Sequence, residues 1–205
     1  MALVKYNNNS LSAVTSAASF PAGAMTLIKT LTASSDSTIS FVDGSSDVVL
    51  DSTYPIYLFK FINIHPATDG ARFSVNFRDG STDYDASKTT TSFDAFNQEA
   101  GGDQGLRYDG DGADLANGTG FQNFNYDQGN DNDASVNGYL RLYDPSDTTF
   151  VTHFQASVSW QYQNTYAIQG HVAGYCNTAS AIDGVQFKFV SGEIQGGTIG
   201  LFGVK

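Results

Sequence analysis

The sequence predicts an all-β protein, and three observations carry that prediction. Apolar and polar residues alternate with the strand period of two in several short runs, and no run keeps the 3.6-residue apolar period of an amphipathic helix. Gly, Pro, Asp and Ser separate these runs, as expected of turns. Charged residues make up only 15% of the chain, which favours strands over helices rich in Glu and Lys. We expect one antiparallel β-sandwich domain, jelly-roll-like, behind a short N-terminal arm.

The run Tyr54–Ile64 is predicted to be a central strand. One face of it is aromatic: Tyr57, Phe59 and Phe61. The other face is aliphatic apart from one lysine: Ile56, Leu58, Lys60, Ile62 and Ile64. A strand that is apolar on both faces must be covered from two sides. We expect a central hairpin with the run Ala71–Phe77, a second sheet over the aromatic face and another protomer over the aliphatic face, with Lys60 near its rim.

Further strands are predicted on both sides of this run. Phe73–Arg78 alternates as a strand with one buried and one solvated face. The other predicted strands follow the same period: Met25–Thr30, Thr38–Val42, Val136–Tyr143, Phe150–Trp160, Val172–Cys176, Val185–Phe189 and Thr198–Val204.

The chain divides into an arm, residues 1–23, and a sandwich domain, residues 24–205. The arm is polar and sparse in apolar residues, which suits a segment that docks on a partner. Within the domain, residues 93–134 hold nine acidic residues against one basic residue. We expect that segment to be irregular and exposed, because long irregular segments in compact domains are usually functional or mobile.

Composition excludes several classes of function. The net charge of −11 argues against binding to nucleic acid, which needs clustered Lys and Arg. No apolar run is long enough to span a membrane, and the N-terminal residues lack the apolar core of a secretory signal. The single cysteine, Cys176, excludes an intrachain disulfide and is expected to be buried and structural. We expect assembly in the cytoplasm where the chain is made.

No catalytic pattern stands out, so we predict a non-enzymatic protein without a cofactor. His65, His153 and His171 lie far apart and show no metal-ligand spacing. Acidic turns offer weak Ca²⁺ candidates: Asp109, Asp111, Asp114, Asp127, Asp131 and Asp133. The favoured interpretation of these carboxylates is solvated turns, with a carboxylate pair for glycoside hydrolysis as a minor alternative.

Several aromatic residues in predicted loops could stack on a sugar: Tyr84, Phe93, Phe96, Tyr108, Phe121 and Tyr126. For most of them the favoured interpretation is that they cover the ends of the core.

Much of the chain outside the acidic segment resembles a family of small structural proteins in the virions of tailed marine bacteriophages. The similar segments are Met1–Leu3, Asn7–Ser10, Phe59–Asp69, Gly138–Leu140, Leu142–Ser146, Thr148–Val151, Val185–Lys188, Ser191–Gly192, Gly197–Ile199 and Gly203–Lys205. The resemblance implies a β-sandwich on the virion surface and carries no site residues.

Together with that resemblance, the sequence favours a tail-fibre or appendage subunit that contacts other virion proteins, forms a homo-oligomer (a trimer is favoured) and recognises a host surface glycan. A capsid decoration protein, of cement or head-fibre type, is the alternative. A carbohydrate-binding module is the second alternative.

Overall fold

The computed structural model describes residues 24–108, 114–163 and 165–205, and the predicted arm of residues 1–23 lies outside them. The described residues form twelve β-strands in two antiparallel sheets. The strands are β1 Met25–Thr32, β2 Ile39–Val42, β3 Ile56–Pro66, β4 Phe73–Arg78, β5 Lys88–Gln98, β6 Gln104–Tyr108, β7 Gln122–Asn123, β8 Val136–Tyr143, β9 His153–Tyr162, β10 Tyr166–Cys176, β11 Gly184–Phe189 and β12 Ile194–Val204.

The larger sheet has eight strands in the order β1-β12-β3-β8-β9-β10-β5-β6, and the smaller sheet has the order β2-β11-β4-β7. Four pairs are nested along the chain: β1 with β12, β2 with β11, β3 with β8, and β4 with β7. Nested antiparallel pairing of this kind, divided between two sheets, is jelly-roll topology. The predicted all-β sandwich is therefore confirmed. The other four strands, β5, β6, β9 and β10, continue the larger sheet beyond β8, and we call them the added strands.

Aromatic side chains fill the space between the two sheets. Phe187, on the smaller sheet, packs against Phe59 and Phe61 of β3 at ring-centroid distances of 5.4 and 5.3 Å. Phe41 of β2 meets Phe59 edge to face at 5.3 Å, a geometry that the ring quadrupoles favour. The second sheet thus covers the aromatic face of β3, as its alternation predicted.

The predicted hairpin of β3 and β4 is wrong. β3 pairs with β8 and β12 in the larger sheet, whereas β4 pairs with β11 and β7 in the smaller one. The turn between β3 and β4 carries the chain from one layer to the other, and the β11–β12 turn does the same. A turn that closes a hairpin and a turn that crosses between two sheets can have the same composition. The sequence therefore could not distinguish these two kinds of connection.

Ile64 was assigned to the wrong face of β3. The pairing of β3 with β8 slips between Phe61 and Ile64, and Asn63 takes a positive φ of 52°. The Asn63 N–H donates to the side-chain oxygen of Asn137 at 2.8 Å. Because this bulge adds a residue, the alternation shifts by one and Ile64 turns into the core, fully buried.

The wet face predicted for β4 is also buried. Ser74 and Asn76 are 0% and 1% exposed. Ser74 Oγ donates to the Lys188 carbonyl, and Asn76 Nδ2 donates to the Thr119 carbonyl, both at 2.9 Å. β11 accepts the bond from Ser74, and the chain before β7 accepts the bond from Asn76, so polarity on this face does not signal solvent.

The described part of residues 93–134 is more regular than predicted. β5 enters this segment and pairs along its length with β10 and, at its end, with β6. Its inward positions are polar: Lys88, Thr90, Ser92 and Asp94. The segment after β6 bonds to two of these side chains: Lys88 Nζ donates to the Gly120 carbonyl, and Thr90 Oγ1 donates to the Gln122 side-chain oxygen. A strand whose inward side chains are satisfied by hydrogen bonds lacks the apolar alternation that marks the other strands.

Candidate functional site

The added strands create a broad outer face on the larger sheet. Along β5, β8, β9 and β10 the outward side chains are exposed or half-buried, whereas most inward ones are buried. Three depressions lie on this face, and together we call them the trough. The jelly-roll pairs close the sandwich, and β5, β9 and β10 widen its larger sheet. β9 and β10 also add side chains such as Phe154, Val158 and Val172 to the core.

The middle depression, of about 250 Å³, lies between two aromatic walls. Phe93 of β5 pairs with His171 of β10, and their rings stack at 5.0 Å with an interplanar angle of 23°. His171 pairs with Ser157 of β9, which in turn pairs with Tyr139 of β8. A small hydroxyl side chain therefore forms the floor between Phe93–His171 on one side and Tyr139 on the other.

A second depression, of about 310 Å³, shares residues of β5, β9 and β10 with the first. Its aromatic groups are Tyr175 and His153, with ring centroids 5.7 Å apart, and Tyr143. The Tyr143 hydroxyl donates to the Gln155 side-chain oxygen at 2.9 Å. Gln155 lines both depressions, so the two form one continuous surface.

The third depression, of about 500 Å³, lies at the other end of β9 and β10. Its outer-face lining includes four amide and hydroxyl side chains: Asn97, Asn137, Ser159 and Gln161. Glu99 and Asp133 also line it. The trough thus changes from aromatic to amide-rich along the strands.

The charge of the trough differs from that of the whole chain. Although the protein carries a net charge of −11, none of the described residues that line the two aromatic depressions is acidic. Arg141 stands over the Tyr139 ring at 4.7 Å, beside the middle depression. Within the trough, the acidic side chains that the structure describes line the third depression alone. The aromatic part of the trough is therefore suited to a neutral or anionic partner rather than to a cation.

A fourth cavity, of about 340 Å³, lies behind the added strands and surrounds Arg107. The guanidinium bonds Asp94 at 3.1 Å and stacks on Tyr126 at 4.2 Å. Nearby, the Tyr166 hydroxyl donates to Asp103 at 3.0 Å. These contacts tie β5, β6 and β10 to the segment that covers them, which indicates a structural role.

Lys88 and Cys176 are buried titratable groups behind β5 and β10. Lys88 Nζ donates to the carbonyls of Ala86 and Gly120 at 2.9 and 2.8 Å. Burial lowers the pKa of Lys88 to about 8. Burial also raises the pKa of Cys176 to about 12. The thiol is therefore protonated and buried, as predicted for a structural cysteine.

The Ca²⁺ candidates are dispersed or occupied by protein partners. Asp109 and Asp111 lie outside the described residues. Asp114 accepts the Tyr108 hydroxyl at 2.8 Å, and Asp127 lies 3.6 Å from Arg72. The described residues contain no group of three or more side chains placed to hold a metal ion. Asp131 accepts a hydrogen bond from His65 through its backbone carbonyl, and Asp133 lines the third depression.

The aromatic residues that were candidates for stacking on a sugar lie on different surfaces of the domain. Phe93 belongs to the trough, and Tyr108 pairs with it from β6. Phe96 and Tyr126 enclose Arg107, and Phe121 lies under Lys188 on the smaller sheet. Tyr84 packs near Gly184, at the end of β11. Only Phe93 among them contributes to the trough lining in the described structure.

Sequence reasoning missed most of the trough. Tyr139 and Gln155 lie on the outward positions of predicted strands, where the period-two alternation separates them from the core. His171 lies one residue before the predicted strand Val172–Cys176. What the sequence lacked was the strand order, which brings β5, β10, β9 and β8 side by side.

No family model, no curated protein and no solved structure matches the chain. Among the described residues there is no helix long and apolar enough to cross a membrane.

Proposed function

We propose that the chain is a non-enzymatic structural protein of a phage virion surface, of the tail-fibre or appendage type, which assembles in the host cytoplasm and recognises the host surface. Two independent lines support the proposal. The sequence segments resemble virion proteins of tailed marine phages. Jelly rolls also recur in viral capsid and lectin domains, which is an argument from fold analogy.

The observation that carries the proposal is the enlargement of one sheet. The jelly roll closes through four nested pairs, yet four further strands extend its larger sheet and present the trough. A sandwich with one broad outer face, aromatic at one end and amide-rich at the other, suits a protein that displays a binding surface on a particle.

The other half of the same outer face suits self-association. Its side chains on β1, β3 and β12 are mainly apolar: Met25, Leu27, Ile56, Leu58, Ile62, Phe202 and Val204. Leu27 and Ile62 are 56% and 54% exposed. Exposed apolar surface of this kind usually marks a contact between proteins. We assign this half to a second copy of the chain in a homo-oligomer, with a trimer favoured, and Lys60 covers the Phe202 ring at 5.0 Å within it.

Light scattering after size-exclusion chromatography tests this contact. We expect an oligomer that Ile62→Arg dissociates, because a charge buried in the contact loses its hydration. Val190→Arg, at a similarly exposed β-branched residue after β11, is the matched control and leaves the oligomer intact. A monomeric wild-type protein would contradict the assignment.

Mass spectrometry of purified virions tests the function itself. We expect the polypeptide among the virion proteins, and its absence would refute the proposal. Antibody labelling of intact particles then separates an appendage from the alternative, a capsid decoration protein: label on the tail supports the first, and label over the whole head supports the second.

A further inference from the structure

We propose that the trough is a glycan-binding site for the hydroxyl-rich chain of a cell-surface polysaccharide. The inference rests on the proposed surface role, which it deepens by naming the site and the class of ligand. Its evidence is the shape, the aromatic walls, the polar floor and the charge of the outer face.

The shape suits a chain rather than a compact ligand. The depressions follow β10 from Tyr175 to Ala167, eight residue steps in register with β9. At about 3.4 Å per residue this is about 27 Å. The depressions share lining residues or lie along the same strands, so an oligosaccharide can extend from one to the next.

The aromatic walls match the faces of sugar rings. The C–H face of a sugar ring is apolar and slightly positive, and the face of an aromatic ring is slightly negative. Phe93, stacked on His171, offers an extended flat surface and is 45% exposed. Tyr139 stands across Ser157, two strands from His171, which at about 4.8 Å per strand is a gap of about 10 Å. Ser157 and Ala173 leave the floor low enough for a ring to enter.

The polar groups between these walls are held in place before any ligand binds. The carbonyl oxygen of Gln155 accepts the Tyr143 hydroxyl, so its amide keeps two N–H donors for a ligand. Gln169 Nε2 donates to Ser157 Oγ at 2.9 Å, which orients the floor hydroxyl. Sugar hydroxyls both donate and accept, so they can bond to amides and hydroxyls alike. Groups fixed in advance lose less entropy on binding.

The charge pattern excludes other ligand classes. An extended nucleic acid needs clustered cations along a groove, and the chain as a whole is strongly acidic. An apolar peptide or lipid would leave the amides of the third depression unpaired. A neutral glycan meets both conditions along the whole trough. A uronic-acid unit fits only at the aromatic end, where no described lining residue is acidic and Arg141 stands nearby.

A glycan array of neutral, N-acetylated and uronic-acid oligosaccharides tests the site on purified full-length protein. Calorimetry on the glycans that bind then gives Kd for the wild type and three variants. Tyr139→Ala and Phe93→Ala remove one wall each. Phe121→Ala is the matched control. The Phe121 ring lies under Lys188 as the Tyr139 ring lies under Arg141, but Phe121 is on the smaller sheet, away from the trough.

We expect binding to at least one class, a Kd weakened about tenfold or more by either trough variant, and no change in Phe121→Ala. Circular dichroism checks that each variant folds, and Phe93→Ala keeps the test valid if Tyr139→Ala does not fold, since Phe93 is well exposed. The site is refuted if no glycan binds, or if binding survives both trough variants unchanged. These results concern the purified protein alone, so they stay distinguishable from the virion test of the proposed function.

Discussion

Lys88 gives the most quantitative prediction about how this fold is built. Its ammonium group is fully buried and bonds only two backbone carbonyls among its described partners, those of Ala86 and Gly120. Desolvation lowers its pKa from 10.5 to about 8. The folded chain therefore holds this proton less tightly than the unfolded chain does. We test this with Lys88→Met, which keeps the length of the side chain and removes the titrating group.

Proton linkage sets the sign and the size of the pH dependence of the free energy of unfolding. Because the unfolded state binds more protons between the two pKa values, the Lys88 contribution to the free energy of unfolding rises with pH. The contribution of Lys88 to the free energy of unfolding is least favourable below pH 8 and becomes more favourable as the pH rises to 10.5. From pH 7 to pH 9 the gain is about 1.3 kcal/mol. Cys176, with its pKa raised from 9.0 to about 12, acts in the opposite direction as the pH approaches and passes 9. It is present in both the wild type and Lys88→Met, so the difference between the two proteins removes its contribution.

Urea denaturation followed by the fluorescence of Trp160, the single tryptophan, measures this contribution. The free energy of unfolding of the wild type, minus that of Lys88→Met, should increase by about 1.3 kcal/mol between pH 7 and pH 9. Lys29→Met, on the half-buried β1, is the control for the side-chain change. A difference that stays constant would show that Lys88 titrates normally, and one that falls with pH would show a raised pKa; either result would refute the argument.

Three further predictions concern the core and the added strands. Phe187→Ala, at the centre of the aromatic core, should lower the free energy of unfolding by about 3 to 5 kcal/mol in the same urea assay, and a loss below about 1 kcal/mol would contradict its central place. Gly138→Ala should strongly lower the free energy of unfolding, because its Cβ would overlap the Ser157 carbonyl and the φ of Gly138 is +151°. Gly120→Ala is the control, since a Cβ there would lie in open space, and equal stabilities of the two variants would overturn this prediction. Cys176 should resist a thiol reagent in the native protein and react after unfolding, and fast native labelling would contradict its burial.

The alternation of side chains predicted much of the fold but not how its layers connect. β3, β8, β9, β11 and β12 were found because one face of each is apolar and meets the opposite sheet. Pairing could not be deduced, since the turn after β3 has the composition of a hairpin turn although it crosses between layers. The bulge at Asn63 could not be predicted from the sequence either. The structure shows that Gly197, which has no Cβ, lies close to the Asn63 carbonyl and leaves room for the bulge.

β5 was missed for a different reason. Its inward side chains are polar, and hydrogen bonds to neighbouring backbone and side chains replace apolar contacts there, such as Thr90 to Gln122 at 2.6 Å. A search for apolar alternation cannot find a strand that is buried in this way. The trough depends on β5 and on the strand order, so only Phe93 of its lining was named as a sugar-binding candidate from the sequence.

Cryo-electron microscopy of the virion that contains the chain tests the central claim most directly. That claim is that the added strands hold a binding surface outward on the particle. We expect the sandwich on the virion surface, with the trough facing solvent and the apolar half of the larger sheet against a second copy. A sandwich whose trough is covered by another virion protein would contradict the claim.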